Sequence, residues 1–241
     1  MFLSLLGGDR EILRNWRPIT LLNIDYTLIS KCFSECLNSV LPNSMHTDQK
    51  AIQDSIKYVD ENNHEGVVVF LDQTKAFDRV EWYWIDKCLE KFNFGDNFRK
   101  WTQMVLKGSK TALKTNGFLS EYFQISRSIK QGCPSVPLLY IIQAEVMAAS
   151  IRSDPNIKGI NLPLHHNVFR ESRLSQFVDD TQLFCKNEKY LSYMLKCLSL
   201  YEKASGAKRN KAKTTGLLIG SLKNKSPKFK DIKWTKSSVK H

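Results

Sequence analysis

Covalent and metal staples are scarce in this chain. Its six cysteines, Cys32, Cys36, Cys88, Cys133, Cys185 and Cys197, include no C-x-x-C pair, and its five histidines supply no Cys/His zinc spacing. No apolar run approaches the ~18 residues of a membrane span. The opening Met1-Phe2-Leu3-Ser4-Leu5-Leu6 is too short for a signal-peptide core and has no basic segment ahead of it. The expectation is a reducing compartment, with free thiols that pack as small hydrophobes. Hydrophobic residues at 42% and charged residues at 25% exclude disorder, collagen and mucin-like stalks. A length of 241 residues is enough to bury a core without staples.

Acidic residues are also in deficit. The chain carries 36 Lys and Arg against 24 Asp and Glu, a net charge of +12. The excess is uneven. From Lys208 to His241 there are eleven basic residues and one acid, Asp231, whereas residues 1–207 have a net charge of only +2. Such a block is either a surface facing a polyanion or a solvated tail.

Hydrophobic spacing places the elements. Leu28, Ile29, Cys32, Phe33, Cys36, Leu37 and Val40 predict a helix over Ile24 to Val40, and a second helical stretch covers Ala51 to Val59. Val67 to Leu71 is a continuous apolar run of strand length, the pattern of a strand buried on both faces, and it ends on Asp72. Helices follow from about Trp82 to Phe92 and from Phe98 to Leu106. Asn116-Gly117 within the alternating stretch Thr111 to Ile125 predicts a hairpin. A long apolar helix covers Pro137 to Ile151, with proline near its first turn. Two short strands, Leu174 to Val178 and Thr181 to Cys185, flank Asp179-Asp180. A helix from Leu191 to Ala204 and a strand from Gly216 to Gly220 complete the pattern. The mixed order implies an α+β fold around one main sheet.

The acids stand out. Asp72 closes an apolar strand, and Asp179-Asp180 occupy a hairpin tip, where two adjacent carboxylates repel unless a cation offsets them. If the two strand regions are sheet neighbours, three carboxylates converge on one point suited to Mg²⁺ or Mn²⁺. Spacing alone favours three ordinary turn acids, because Asp is common in turns.

The words around those acids carry more. Phe70-Leu71-Asp72-Gln73-Thr74-Lys75-Ala76-Phe77-Asp78-Arg79-Val80 resembles the first catalytic motif of the reverse transcriptases of non-LTR (long-interspersed) retrotransposons. Gln131-Gly132-Cys133-Pro134 with Pro137-Leu138-Leu139 is similar to their Q-G-C-P motif, and Phe177-Val178-Asp179-Asp180 to their aromatic-x-D-D motif. Asn15-Trp16-Arg17-Pro18-Ile19-Thr20-Leu21-Leu22-Asn23 resembles their leading segment. Ser205-Gly206-Ala207-Lys208 through Lys213-Thr214 resembles the stretch after the D-D motif. Five motifs in family order, from about residue 15 to 220, carry the resemblance.

The resemblance implies a polymerase palm, an antiparallel sheet backed by helices, with partial fingers and no thumb. The boundaries expected are a fingers segment over 1–65, a palm over 66–220 and a basic segment over 221–241. It implies an RNA-directed DNA polymerase that uses two Mg²⁺ or Mn²⁺ ions, an RNA template, a DNA primer and deoxynucleoside triphosphates, with no membrane partner. Asp72, Asp179 and Asp180 would be the catalytic metal ligands. The Gln73 carbonyl would face a metal, and Phe77 would pack under the sugar and disfavour ribonucleotides. Gln131 and Gly132 would line the incoming nucleotide, Arg17 would reach the triphosphate, and Lys211 or Lys213 would stand near the departing pyrophosphate. The location implied is intracellular, in the nucleus or a cytoplasmic ribonucleoprotein.

The sequence departs from the family pattern in several places. Gln49-Lys50-Ala51 runs straight through where a finger segment of about fifteen residues is usual. Ser128-Ile129 replaces Gly-Val, Ser135-Val136 replaces Leu-Ser, and Gln73-Thr74 replaces an aromatic-Glu pair. The alternative to an active polymerase is therefore a catalytically impaired nucleic-acid-binding remnant, or a translated product without function. Cys133 has no paired base in Gly-Cys-Pro, and its thiol is read as packing rather than as a nucleophile.

Overall fold

The computed structural model of the chain describes residues 2–5, 9–12, 16–40, 56–107, 110–115, 117–129, 133–163, 169–177 and 179–235. The chain divides into two compact units, each made of two stretches: Met1–Leu41 with Phe77–Gln143, and Pro42–Ala76 with Ala144–His241. In chain order the strands are β1 (Phe2–Leu5), β2 (Trp16–Ile19), β3 (Glu65–Leu71), β4 (Lys110–Thr111), β5 (Lys114–Thr115), β6 (Phe118–Leu119), β7 (Phe123–Gln124), β8 (Ile160–Pro163), β9 (Phe169–Ser172), β10 (Leu174–Phe177), β11 (Asp180–Cys185), β12 (Thr215–Gly220) and β13 (Lys233–Thr235).

The second unit holds the main sheet, ordered β10-β11-β3-β12-β13. Every pairing is antiparallel except β12 with β13, which is parallel. β3 is central, so its apolar run is buried on both faces, as its β-branched composition requires. One face presents Val67, Val69, Leu71, Leu183 and Cys185, all buried. The helix Glu188–Ser205 packs against β11 and buries Leu191, Met194, Leu198 and Tyr201. That helix is well bounded. The Asn187 side chain accepts a hydrogen bond from the Lys189 amide at its start, and Gly206 ends it in the left-handed region at φ 77°.

The opposite face is covered at one end. Val68, Phe184, Leu217 and Ile219 form an apolar cluster with Val59 and Ile160. Burial of each large side chain there stabilises by about 1.5–3 kcal/mol. Residues 56–61 are helical and supply Val59, while Ile160 belongs to the antiparallel pair β8–β9. Gly220 at φ 60° closes β12 where a Cβ would strike the His64 carbonyl, so only glycine fits.

The first unit carries the helices Ile24–Val40, Trp82–Lys91 and Asp96–Leu106 and a four-stranded sheet ordered β2-β1-β5-β6. The turn between β5 and β6 uses Gly117 at φ 86°. Its interior includes a small polar knot: the Ser30 hydroxyl lies 2.6 Å from the Cys133 thiol and 2.9 Å from the Ser135 hydroxyl, all three buried. The Tyr26 hydroxyl is pushed above the phenol range by burial and by Cys133. Burial alone pushes the Cys88 thiol up to about 12, and burial with Glu188 does the same for Cys185. Burial of these two thiols and of Cys133 agrees with the packing expected of the free cysteines, whereas Cys32 and Cys36 are exposed on their helix and do not pack in that way. Arg99 joins two helices by pairing with Asp86 at 3.0 Å and Glu90 at 3.4 Å.

The helix expected over Ile24 to Val40 has those bounds. Sequence patterning passed over β1, β8, β9 and β13. All four are short, and β13 lies in a run of lysines that reads as a tail. Of the helical stretch over Ala51 to Val59, residues 51–55 lie outside the described residues, as does the Gln49-Lys50-Ala51 junction.

Candidate active site

Strand register builds the site. β11 and β3 are direct neighbours, with Thr181 opposite Leu71. Continued by one residue, that register sets Asp72 beside Asp180. β10 and β11 form a hairpin in which Phe177 pairs with Asp180, so Asp179 lies in the turn, half-buried.

The far side of Asp72 is fixed by the chain after the Glu188–Ser205 helix. The Asp72 carbonyl accepts a hydrogen bond from the Asn210 amide at 2.7 Å, and the Thr74 amide donates to the Lys208 carbonyl at 2.8 Å. Gln73 and Arg209 form an isolated antiparallel bridge. Residues 205–210 are thus an extra rail that holds the first motif in place. The Glu202 carboxylate accepts from the Arg209 amide at 2.6 Å and anchors that rail to the helix.

Asp72 and Asp180 line one cavity of about 500 Å³, together with Lys213, Lys233, Ser175, Gln182, Thr215 and Phe70. Two carboxylates and two ammonium groups in one open cavity can hold cations at one end and phosphate oxygens beside them. Asp179 is adjacent in sequence but is not among the lining residues. Among the described residues no three His, Cys, Asp or Glu side chains form a ready-made metal cluster. The hard oxygens of Asp72 and Asp180 nevertheless suit Mg²⁺ or Mn²⁺, which commonly take one or two carboxylates and leave further positions to water and phosphate.

The two lysines expected near the pyrophosphate are separated. Lys213 lines the cavity, whereas Lys211 is exposed and bonded at 2.6 Å to Asp231. That contact holds the Asp231 carboxyl below its ordinary value. Phe77 lies in the first unit, its ring centroid 4.7 Å from that of buried Tyr140. Its carbonyl accepts from the Ile129 amide at 2.9 Å. Arg17 occupies β2 opposite Ser4, and its side chain is outside the described residues. Gln131 and Gly132 also lie outside them. Cys133 is buried in the polar knot.

Sequence reasoning missed Ser175, Gln182, Thr215 and Lys233. The first two carry no clear signal, since each shares its short strand with other polar residues, Gln176 in β10 and Asp180 and Thr181 in β11. Lys233 carries none, because only the pairing of β13 with β12 brings it to the cavity.

An antiparallel sheet backed by helices, with a hairpin bearing Asp179-Asp180 beside a strand ending in Asp72, is a nucleic-acid polymerase palm. The sequence profile described as "Reverse transcriptase (RNA-dependent DNA polymerase)" matches residues 8–239. The chain belongs to that family. It is 31% identical to the transposon TX1 uncharacterized 149 kDa protein of Xenopus laevis, over 99% of this chain and 19% of that protein. It is 24% identical to the Pol polyprotein of the type-1 retrotransposable element R2 of Popillia japonica, over 89% of this chain and 31% of that protein. The chain thus spans a fifth to a third of these relatives, and the resemblance to non-LTR retrotransposon proteins stands. In fold it is similar to apo telomerase from Candida tropicalis truncated from its C-terminal domain, with TM-score 0.57, 14% identity, and 85% of this chain and 42% of that chain covered. It is also similar to telomerase from the same organism in complex with the TWJ fragment of telomeric RNA, with TM-score 0.55, 14% identity, and 80% and 34% covered.

Proposed function

We propose that this chain is the catalytic core of an RNA-directed DNA polymerase that extends a DNA primer on an RNA template by two-metal nucleotidyl transfer. The observation that carries the reading is the shared cavity of Asp72 and Asp180 on adjacent strands, in a chain of the reverse transcriptase family. Residues 66–220 are read as palm, residues 1–65 as fingers, and 221–241 as a basic extension. The expected location is intracellular, in the nucleus or a ribonucleoprotein.

The primer 3′ oxygen attacks the α-phosphorus of a deoxynucleoside triphosphate in line, and pyrophosphate leaves with the electron pair of the broken P–O bond. Asp72, Asp179 and Asp180 would hold two divalent ions. When bound, these supply a lowered pKa for the attacking oxygen and charge stabilisation for the leaving one. Lys213, on the cavity wall, places a cation where negative charge develops on the phosphates. The 205–210 rail fixes the Asp72 backbone, so the carboxylate meets its partners without reorganisation. Phe77 is proposed to face the sugar, and Arg17, Gln73, Gln131 and Gly132 to face the nucleotide.

Primer extension on an RNA template with Mg²⁺ or Mn²⁺ tests this reading. Extension that disappears in Asp179→Asn supports it. A folded protein that extends nothing, or one whose activity survives Asp179→Asn, would sink it.

A further inference from the structure

Arg173 is the single residue between β9 and β10, at the corner where the chain leaves the β8–β9 pair and enters the main sheet. Its side chain is only 18% exposed. The Nη1 nitrogen donates to the carbonyls of Arg152 at 2.7 Å and Asp154 at 3.0 Å, with the Ile151 carbonyl at 3.4 Å. Ile151 and Arg152 belong to the last turn of the helix Val136–Ser153, whose carbonyls have no partner within the helix and form the negative end of its dipole. The Nη2 nitrogen pairs with Glu171 at 3.2 Å, and the other Glu171 oxygen accepts from the Gly159 amide at 2.6 Å. On the main chain, the Arg173 carbonyl accepts from the Phe184 amide of β11 at 2.8 Å. We propose that Arg173 is a positioning residue for Asp179: it clamps the start of β10 to the end of that helix and so fixes where the turn carboxylate stands for a divalent cation, an inference that rests on the polymerase reading above.

The two acids of the hairpin are held differently. Asp180 opens β11, which is paired on both sides, to β10 and to β3. Asp179 lies in the turn that follows β10, and β10 is the edge strand of the sheet. An edge strand is secured by one ladder of hydrogen bonds rather than two, so it opens more readily than an inner strand. The four residues of β10 place the turn about 13 Å from the corner. A fixed corner at that distance limits how far the strand can tilt or slide, and with it Asp179.

Arginine suits this corner. Its planar fork serves the helix carbonyls with one nitrogen and a carboxylate with the other, and it stays charged throughout. Those acceptors also offset the cost of holding a guanidinium away from water. The packing around the corner has no slack, since a Cβ at Gly159 would strike the Ser172 carbonyl next to Arg173. A plain helix cap would add stability and leave the metal requirement untouched, and that difference separates the two roles.

The test pairs hydrogen exchange with extension kinetics on the whole chain. Arg173→Gln is expected to speed amide exchange over β10 and at Asp179, and to leave β3 and β12 at the parent rate. The Mg²⁺ concentration for half-maximal primer extension on an RNA template should rise about tenfold, the low end of the cost of losing a group that orients a metal ligand. The rate should recover at saturating Mg²⁺, with KM for the nucleotide unchanged there. Arg173→Lys keeps the charge without the fork and should fall between parent and Arg173→Gln. Arg170→Gln, at an exposed arginine of the neighbouring β9, should change neither readout. If Arg173→Gln does not fold by circular dichroism, Arg173→Lys carries both measurements. Faster exchange with an unchanged Mg²⁺ requirement overturns the proposal and leaves Arg173 a cap of the fold. Exchange that quickens equally in β3 and β12, or nowhere, overturns it as well. Equal shifts in Arg170→Gln and Arg173→Gln overturn it in favour of overall charge. A parent chain that extends nothing overturns the polymerase reading, and exchange over β10 and at Asp179 then decides the clamp by itself.

Discussion

On one face of the main sheet, two rows a single pleat apart have opposite fates. Phe184, Val68 and Leu217 stand in register across β11, β3 and β12 and are sealed by Val59 and Ile160. One step along the same strands, Gln182, Phe70 and Thr215 border an open cavity, and one step further stand the carboxylates Asp180 and Asp72. The backbone is continuous through all three rows. What changes is the covering layer: the first row is buried against Val59 and Ile160, and of the second row Phe70 packs against the margin of that cluster while its other side borders the cavity. The sealed end supplies the rigidity that fixes the carboxylates. The open end carries polar side chains instead, and the Gln182 Oε1 and Thr215 Oγ1 there are buried without hydrogen-bond partners among the described residues.

The sharpest way to break the contrast is at the acidic row. Asp72→Asn should reduce nucleotide incorporation about a thousandfold or more while the thermal midpoint stays near that of the parent chain, with extension and calorimetry as the paired readouts. A matching loss of stability would show that Asp72 holds the fold rather than the chemistry. At the sealed row, Phe184→Ala removes a ring that is 1% exposed and should cost about 3–5 kcal/mol in denaturant unfolding. A cost below about 1 kcal/mol would mean that the cluster is not the anchor described here.

Between the rows, the two lysines sharpen the comparison. Lys213→Ala should lower kcat for incorporation about tenfold, since it removes a cation from the cavity wall. Lys211→Ala should stay within about twofold, its ammonium being committed to Asp231 outside the cavity. Similar losses for both would erase the distinction between cavity and surface.

Asp86→Asn, in the other unit, sets the smallest scale and should touch neither row. Its hydrogen bonds from Arg99 hold the Asp86 carboxyl below its ordinary value near 3.8. A depressed carboxyl contributes stability that is present above that ordinary value and is lost as pH falls through the lower folded one. The substitution should therefore cost about 1–2 kcal/mol near neutral pH. The difference should shrink below about pH 4 in unfolding curves taken across pH. A pH-independent difference would assign the effect to packing.

Much of the local structure was legible in the residues. Apolar spacing marks the helix Ile24–Val40, although Leu28, Ile29, Cys32 and Cys36 of its stripe are exposed, and the Val67 to Leu71 run marks the central strand, which is buried on both faces. The acids were legible as a group because their surrounding words match a family. Less legible was their arrangement: Asp72 and Asp180 share the cavity, while Asp179 sits in the turn. The short strands β8 and β9 escaped because four residues each, Ile-Asn-Leu-Pro and Phe-Arg-Glu-Ser, are too few for an alternation to stand out. Lys233 escaped because it lies in a lysine-rich stretch, and charge without register does not place a side chain.

By itself the sequence determined the periodic elements, the motif order and the family, because these depend on spacing along the chain and on local burial. The tertiary structure alone decided which lysine faces the cavity, which strand end is sealed and which polar atoms lie unpaired. Those outcomes depend on pairings such as Phe70 with Thr215 and Thr215 with Lys233. Such register is set by hydrogen bonds between strands far apart in sequence, and a shift of one residue would turn every side chain of the row to the opposite face.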